Sequence, residues 1–235
     1  ARVLTFTPSG SAAYVLFDYY NTFFVSDDGG QTWQAVTDYG NCRQLSFLDA
    51  QTGWIATPSQ LGMTADGGQT WVEVPLPEGV ENITAVSLRT PTDGYLLDST
   101  GILHVTQDGG QSWSSHTLIL DLEGRPIPDR ETASAAVRFF DADYGLIVIH
   151  LASGLSSRVM ALRTYDGGRT WEEEEVGPAS LLVALYLSHD GSVLTIADHV
   201  EQQVRVLHLL QSGAERGGEG VRQPPNEPDG VRAKC

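Results

Sequence analysis

Carboxylates and guanidinium groups are the side chains of this sequence that could perform chemistry. The 235 residues include 30 Asp and Glu and 14 Lys and Arg. Two carboxylates about 5–10 Å apart would suit glycoside hydrolysis, one as the acid and the other as the base or nucleophile. Because 30 acids make candidate pairs unavoidable, a pair by itself does not indicate a hydrolase. Asp141 and Asp143, for example, lie in a short polar segment where they are better interpreted as residues that cap a turn.

Three arginines could bind an anionic substrate if their side chains met. Arg43 starts a predicted strand, Arg138 lies in the middle of another, and Arg89 ends a third. Because these positions differ along the strands, the three guanidinium groups are not expected to converge on one carboxylate. The sequence also shows no pairing of a Tyr nucleophile with a Glu, so we predict no catalytic residue.

Histidines and cysteines do not form a metal signature. Three of the six histidines, His189, His199 and His208, fall near one another in the sequence. Their spacing matches no short zinc motif, so we predict no metal and no cofactor. The two cysteines, Cys42 and Cys235, are too few for a disulfide framework, although a single bridge between them stays open.

Composition narrows the class of protein. The net charge of −16 would repel phosphate backbones, so we expect no binding to nucleic acid. No apolar run approaches the roughly 20 residues that span a bilayer, so we expect no membrane insertion. A hydrophobic fraction of 41% allows a sizeable core, and the 25 glycines favour a turn-rich, all-β chain.

Four copies of one short motif dominate the sequence. Each copy reads Ser/Thr-x-Asp-Gly-Gly-Gln/Arg-Thr/Ser-Trp, and the copies end 38, 42 and 58 residues apart. Asp-Gly between apolar segments is a strong hairpin signal. The structural residues of the four motifs are predicted to be Asp28, Gly30, Trp33, Asp66, Gly68, Trp71, Asp108, Gly110, Trp113, Asp166, Gly168 and Trp171.

Each residue type in the motif has a mechanical role. The Asp carboxylate can accept hydrogen bonds from N–H groups of its own turn. The Gly pair supplies positive φ angles, and the Trp offers a large apolar surface to pack between neighbouring sheets. The motif lacks the further oxygen ligands and the terminal Glu of an EF-hand loop, so we expect no calcium site.

A longer unit of four short strands surrounds each motif. Short strands that recur about every 40 residues, with hairpin turns between them, are typical of β-propeller blades. We therefore predict an all-β propeller of four-stranded antiparallel blades over residues 1–211, followed by a polar Gly- and Pro-rich tail or linker over 212–235. The five units cover about 1–40, 41–80, 81–130, 131–180 and 181–211, and the last lacks the motif. The sequence leaves open whether the ring closes with five blades or whether this chain is part of a larger ring.

These motifs resemble the BNR or Asp-box repeat. The unit in which Phe47 to Trp54 leads into the motif is similar to the photosystem II stability/assembly factor family. The resemblance implies a non-catalytic scaffold that binds a protein partner, and an extracytoplasmic location that is secreted, periplasmic or lumenal. Its role would lie in the assembly or stability of a complex outside the cytoplasm.

Other Asp-box proteins supply the alternatives. Sialidases and other glycosidases carry similar boxes, which in those families resemble structural corners remote from the ligand site. A glycan-binding or glycosidase-type protein, or a remnant of one, is therefore the second hypothesis, since a fold does not fix a function. A repeat module of a larger surface protein is the third. A central pocket with paired carboxylates or converging arginines would distinguish an enzyme from a scaffold.

Strand order places two insertions on the face opposite the Asp boxes. They cover 119–134, between the third and fourth units, and 151–157, within the fourth. Elaborated loops on a rigid scaffold often carry binding, although an insertion without a partner would look the same. The candidate partner-binding residues in and near these insertions are Arg125, Asp129, Arg130, Arg138 and Arg158.

Overall fold

A computed structural model describes residues 3–6, 13–17, 22–26, 28–35, 42–80, 82–118, 131–153, 156–178, 182–187, 193–198 and 203–208. Within these ranges every regular element is a β-strand. None of them contains a helix of the length and hydropathy that crossing a bilayer requires.

The described strands form five antiparallel sheets, and within each sheet every strand pairs with the next along the chain. The first sheet holds β1 (Val3–Phe6), β2 (Ala13–Phe17), β3 (Thr22–Ser26) and β4 (Gln34–Ala35). The second holds β5 (Gln44–Phe47), β6 (Gly53–Ala56), β7 (Leu61–Thr64) and β8 (Val72–Val74). The third holds β9 (Ile83–Leu88), β10 (Gly94–Asp98), β11 (Ile102–Thr106) and β12 (Ser114–Thr117).

The fourth sheet is longer and the fifth is smaller. The fourth holds β13 (Glu131–Phe139), β14 (Gly145–Ser153), β15 (Ser156–Thr164) and β16 (Glu172–Pro178). The fifth holds β17 (Leu182–Leu187), β18 (Val193–Asp198) and β19 (Gln203–His208). The prediction of an all-β chain built from four-stranded antiparallel units is confirmed for the first four sheets.

The first four sheets pack against one another in chain order with apolar cores between them. Trp54 and Leu61 of the second sheet pack with Leu96 of the third, and all three side chains are fully buried. Leu103 of the third sheet likewise packs with Ile147 of the fourth. Burying one such side chain stabilises the fold by about 1.5–3 kcal/mol, so each interface contributes to stability.

Burial within a sheet follows its position in the stack. Every residue of β6 and β10 is buried, because the second strand has a neighbouring sheet on both faces. The outermost strand β12 is mostly exposed and carries the polar sequence Ser-Ser-His-Thr. Such short polar edges discourage pairing with other chains.

The fourth sheet departs from the sequence prediction. The segment 151–157 was expected to form a loop, but β14 runs to Ser153 and β15 starts at Ser156, where these two residues pair. In the same way β13 begins at Glu131, inside the expected insertion 119–134. The extra residues lengthen an antiparallel ladder, whose backbone hydrogen bonds are better satisfied than those of an open loop. Arg158 therefore lies in a strand.

Candidate functional site

The Asp boxes are closed hydrogen-bond networks. In the second box, Asp66 Oδ1 accepts from Thr64 Oγ1 at 2.8 Å and from the backbone N of Thr70 at 2.9 Å. Asp66 Oδ2 accepts from Thr70 Oγ1 at 2.6 Å. Thr64 Oγ1 in turn accepts from the N of Gly68 at 2.9 Å, and Gly68 has the left-handed φ of 90°. The carboxylate is thus fully engaged within its own turn.

The same contacts recur in the other three boxes. Asp28, Asp108 and Asp166 each accept from the Ser or Thr hydroxyl two residues before and from the Thr or Ser hydroxyl four residues after. These side-chain hydrogen bonds favour the ionised form and lower the pKa of Asp66, Asp108 and Asp166 to about 2. The pKa of Asp28 is lowered for the same reason. Groups that stay ionised near neutral pH are poor general acids, and this chemistry suits corners that hold strands together.

Three of the four box tryptophans lie between their own sheet and the preceding one. Trp113 donates its Nε1–H to the carbonyl oxygen of Pro75 at 2.9 Å, and its ring lies 6.0 Å from that of Trp54. Val25 of the first sheet and Trp71 pack against the same buried cluster of the second sheet. Trp171 packs against the core shared by the third and fourth sheets, whereas Trp33 is 40% exposed.

An aromatic column stands on the side of the boxes at the fourth sheet. The rings of Phe140 and Tyr144 stack with centroids 5.0 Å apart, and those of Tyr144 and Tyr165 stack at 5.4 Å. Asp141 caps the turn beneath them by accepting from the N of Asp143 at 2.8 Å and of Tyr144 at 2.6 Å. Burial raises the pKa of Tyr144. Sequence reasoning missed this column because it joins the β13–β14 turn to a box more than 20 residues away.

A buried polar network in the third sheet was also missed. His104 Nδ1 lies 2.8 Å from Ser115 Oγ, and His104 Nε2 lies 3.3 Å from Asp98 Oδ2. Asp98 Oδ1 accepts from the hydroxyl of Thr100 at 2.6 Å and from the N of Ile102 at 3.0 Å. These hydrogen bonds hold the pKa of Asp98 low although burial opposes ionisation.

Ser115, His104 and Asp98 are linked in the order of a Ser–His–Asp catalytic triad. Their surroundings, however, indicate a structural role. His104 is only 3% exposed, and Asp98 is fully buried beneath the β10–β11 turn that it caps. Ser115 is exposed on the outermost strand β12, away from the stacked cores. A hydrolase would need oxyanion donors around the serine. We interpret the network as one that satisfies buried polar groups.

The candidate partner-binding residues are only partly placed. Arg125, Asp129 and Arg130 lie outside the described residues. Arg138, half-buried on β13, pairs with Leu146, whereas Arg158 on β15 pairs with Leu151. The two partners are five residues apart on β14, so Arg138 and Arg158 are separated by roughly 17 Å along the sheet. The structure does not bring these two arginines together.

No metal or redox centre is found in the described part of the chain. No three His, Cys, Asp or Glu side chains there are close enough to hold a metal ion. Cys42 is a buried free thiol, and burial raises its pKa to about 12. The bridge left open in the sequence would involve Cys235, which lies outside the described residues.

Comparison with known proteins identifies the repeats. The family model described as "Photosynthesis system II assembly factor YCF48" matches residues 35–134, and that of the BNR/Asp-box repeat matches residues 24–35. The "Photosystem II assembly lipoprotein Ycf48" of Synechococcus sp. strain CC9902 is 34% identical over 171 residues, which are 70% of this chain and 46% of the relative. This chain thus spans about half the length of that relative.

Solved structures agree on the fold. The β-propeller domain of Cps50 from Myceliophteria thermophila matches 92% of this chain and 67% of that chain, with a TM-score of 0.58 and 11% identity. A GH74 enzyme from Niastella koreensis matches 83% of this chain and 32% of that chain, with a TM-score of 0.56 and 15% identity. A structure of YCF48 bound to a D1 peptide matches 89% of this chain and 91% of that chain, but its TM-score of 0.45 at 14% identity adds no support for the fold.

The resemblance and the fold class inferred from the motifs are confirmed. The chain carries BNR/Asp-box repeats in β-propeller blades and is similar to the Ycf48 assembly factors. At these identities, likeness to the Cps50 domain and the GH74 enzyme establishes the fold alone.

Proposed function

We propose that this chain is a non-catalytic propeller scaffold that binds a protein partner during the assembly or stabilisation of an extracytoplasmic complex. The observation that carries the proposal is the sequence similarity to Ycf48, a protein named for photosystem II assembly, across 70% of this chain. The name lipoprotein in that relative supports a location outside the cytoplasm.

The chemistry of the described acids supports a scaffold over an enzyme. The box carboxylates accept hydrogen bonds from their own turns, and the pKa values of Asp66, Asp108 and Asp166 lie near 2. None of them can hold a proton for a leaving group near neutral pH. Asp98 and His104 are buried within the third sheet. The glycosidase alternative has the shared fold in its favour.

We place the partner on the fourth sheet and its neighbouring segment. The long β13–β14–β15 ladder distinguishes this sheet from the others, and rigid sheets that carry elaborated segments often bind partners. The proposed contact residues are Arg125, Asp129, Arg130, Arg138 and Arg158.

Fluorescence anisotropy with a labelled D1 peptide tests the proposal, because a YCF48 structure carries such a peptide. The wild-type chain should bind it, and R125Q/R130Q should raise the Kd roughly tenfold, about 1.4 kcal/mol. The matched control is R169Q, because the exposed Arg169 guanidinium donates to its own turn at Asp166 O. That variant should bind as the wild type does.

The possible outcomes test the binding site and the scaffold role separately. Equal binding by R125Q/R130Q and the wild type would reject the site and keep the scaffold. An absence of binding by the folded wild-type chain, together with hydrolysis of fluorogenic glycosides, would reject the scaffold in favour of a glycosidase.

A further inference from the structure

One turn recurs on the box side of the second, third and fourth sheets. In each of these sheets the first strand leads into a turn that is closed by a backbone hydrogen bond to the carbonyl oxygen four residues later, and the donors are the N–H groups of Leu48, Arg89 and Phe140. A second backbone hydrogen bond ties the turn to the box of the same sheet, with Gly67, Gly109 and Gly167 as the donors. The backbone alone therefore joins turn and box in all three sheets.

The side chains at three positions of this shared frame differ between the sheets. The positions are the two residues whose backbone closes the turn and the residue before the box Asp. They hold Leu48, Thr52 and Ala65 in the second sheet, Arg89, Asp93 and Gln107 in the third, and Phe140, Tyr144 and Tyr165 in the fourth. Since the second sheet forms the same turn with no aromatic residue at these positions, the fold does not require the aromatic column of the fourth.

The aromatic column, formed by Phe140, Tyr144 and Tyr165, reaches the surface at Tyr165. The ring of Tyr165 is stacked on that of Tyr144, 19° from parallel, and Tyr165 is 38% exposed. The negative potential above the face of a tyrosine ring attracts the cationic group of Arg or Lys. An exposed stack of tyrosines is therefore suited to binding a cation.

Two exposed carboxylates, those of Asp141 and Asp143, belong to the turn that bears the column. The N of Gly167 donates to the carbonyl oxygen of Asp143 at 2.9 Å, which fixes this turn beside the fourth box. Donation from the N of Tyr144 and of Asp143 lowers the pKa of Asp141, so this carboxylate stays ionised at neutral pH. Negative charges at this turn stabilise a cation that stacks on the column.

Three guanidinium groups near the column are engaged within the chain. Arg163 forms a hydrogen bond to the side chain of Tyr144. Arg89 forms an ion pair with Asp93 and acts on the turn only at longer range. Arg169 donates to the backbone of its own turn. These contacts leave the two turn carboxylates available to a cation from outside the chain.

We propose that the aromatic column binds a basic peptide, with one Arg or Lys side chain of the peptide stacked on Tyr165 and held by the carboxylates of Asp141 and Asp143. The net charge of −16 attracts a basic peptide from a distance, and stacking on the column determines where it binds. Tyr165 follows the box end of β15, roughly 20 Å along the strand from Arg158. This surface is therefore separate from the one proposed above for the assembly partner.

Fluorescence anisotropy with a labelled penta-arginine peptide at physiological ionic strength tests the proposal, because salt screens attraction that is not tied to a site. Tyr165→Ala, which leaves the net charge unchanged, should raise the Kd roughly three- to fivefold, as expected for one exposed cation–π contact. Tyr165→Phe keeps the ring and should bind as the wild type does. The matched control is Gln107→Ala, at the same exposed position of the third box, which should leave the Kd unchanged.

A nuclear magnetic resonance measurement on the wild-type chain removes the dependence on a variant. The δ-methylene protons of the peptide's arginines should shift upfield on binding, because they enter the ring current of Tyr165. No binding, binding without this shift, equal binding by Tyr165→Ala, or equal losses in Tyr165→Phe and Tyr165→Ala would each overturn the proposal. Upfield shifts in the neutral sugar cellohexaose and none in the peptide would assign the column to a glycan and overturn it too. These outcomes do not bear on D1 peptide binding, which is tested with other residues.

Discussion

At the scale of single residues, the Asp-box carboxylates show how a short motif fixes a corner. Each carboxylate accepts hydrogen bonds from two hydroxyl side chains of its own turn, and in the second box these come from Thr64 and Thr70. Because the donors favour the charged form, the carboxylate supports the turn only while it is ionised. The corner is therefore a local source of pH-dependent stability.

The direction of that dependence follows from the pKa values. Asp66, Asp108 and Asp166 titrate near 2 in the folded chain, below the ordinary 3.8 of an unfolded one. Their contribution to the free energy of unfolding is complete above 3.8, the pKa in the unfolded chain. It is lost as the pH falls through about 2, the pKa in the folded chain. We expect the urea midpoint of unfolding to decrease between about pH 5 and pH 2.

The substitution Asp66→Asn tests the contribution of a single Asp-box carboxylate to stability. The variant should have a lower urea midpoint at neutral pH and a weaker decrease on acidification than the wild type, because the amide accepts less strongly than a carboxylate. Asp143→Asn, which removes one charge from the exposed β13–β14 turn, is the matched control. Parallel pH curves for Asp66→Asn and the wild type would contradict the role given to the carboxylate.

At the scale of elements, the close approach of the second and third sheets rests on the glycine at the start of β10. A Cβ at Gly94 of β10 would lie 1.9 Å from Cη2 of Trp54 in β6 of the neighbouring sheet. Trp54 is fully buried and cannot move aside without disturbing its core. Any side chain at this position therefore separates the second and third sheets.

We expect Gly94→Ala to lower the free energy of unfolding by about 1–3 kcal/mol, the range for an overpacked core. Trp54→Phe in the same chain should recover part of the loss, because the smaller ring leaves room for a methyl group. A double-mutant cycle from urea unfolding measures this coupling. Additive effects of the two substitutions would show that the contact between Gly94 and Trp54 does not limit the spacing of the sheets.

The sequence could predict those parts of the structure that depend on short local patterns. The box turns and the four-stranded units depend on residues a few positions apart, so their patterns are visible in the chain. The length of the β14–β15 hairpin was wrong because pairing as far as Ser153 and Ser156 depends on a ladder that propagates from both strands. The network of Asp98, His104 and Ser115 depends on the register of three strands, which no local pattern indicates. The partner-binding residues stay a prediction.

At the scale of the whole molecule, the chain combines a series of antiparallel sheets with a strongly acidic overall charge. Apolar cores join the sheets in chain order from the first to the fourth. The net charge of −16 disfavours contact with phosphate backbones, and the arginines proposed to bind the partner stay a prediction. The proposed scaffold would act by presenting a surface to its partner, and binding should then protect that surface alone.

Hydrogen exchange with and without the D1 peptide tests the central claim most directly. The proposed function predicts slower exchange in 119–134 and along the β14–β15 hairpin near Arg158, with little change at the four Asp-box corners. Protection that is confined to those corners, or none at a peptide concentration above the measured Kd, would contradict a binding surface on the fourth sheet.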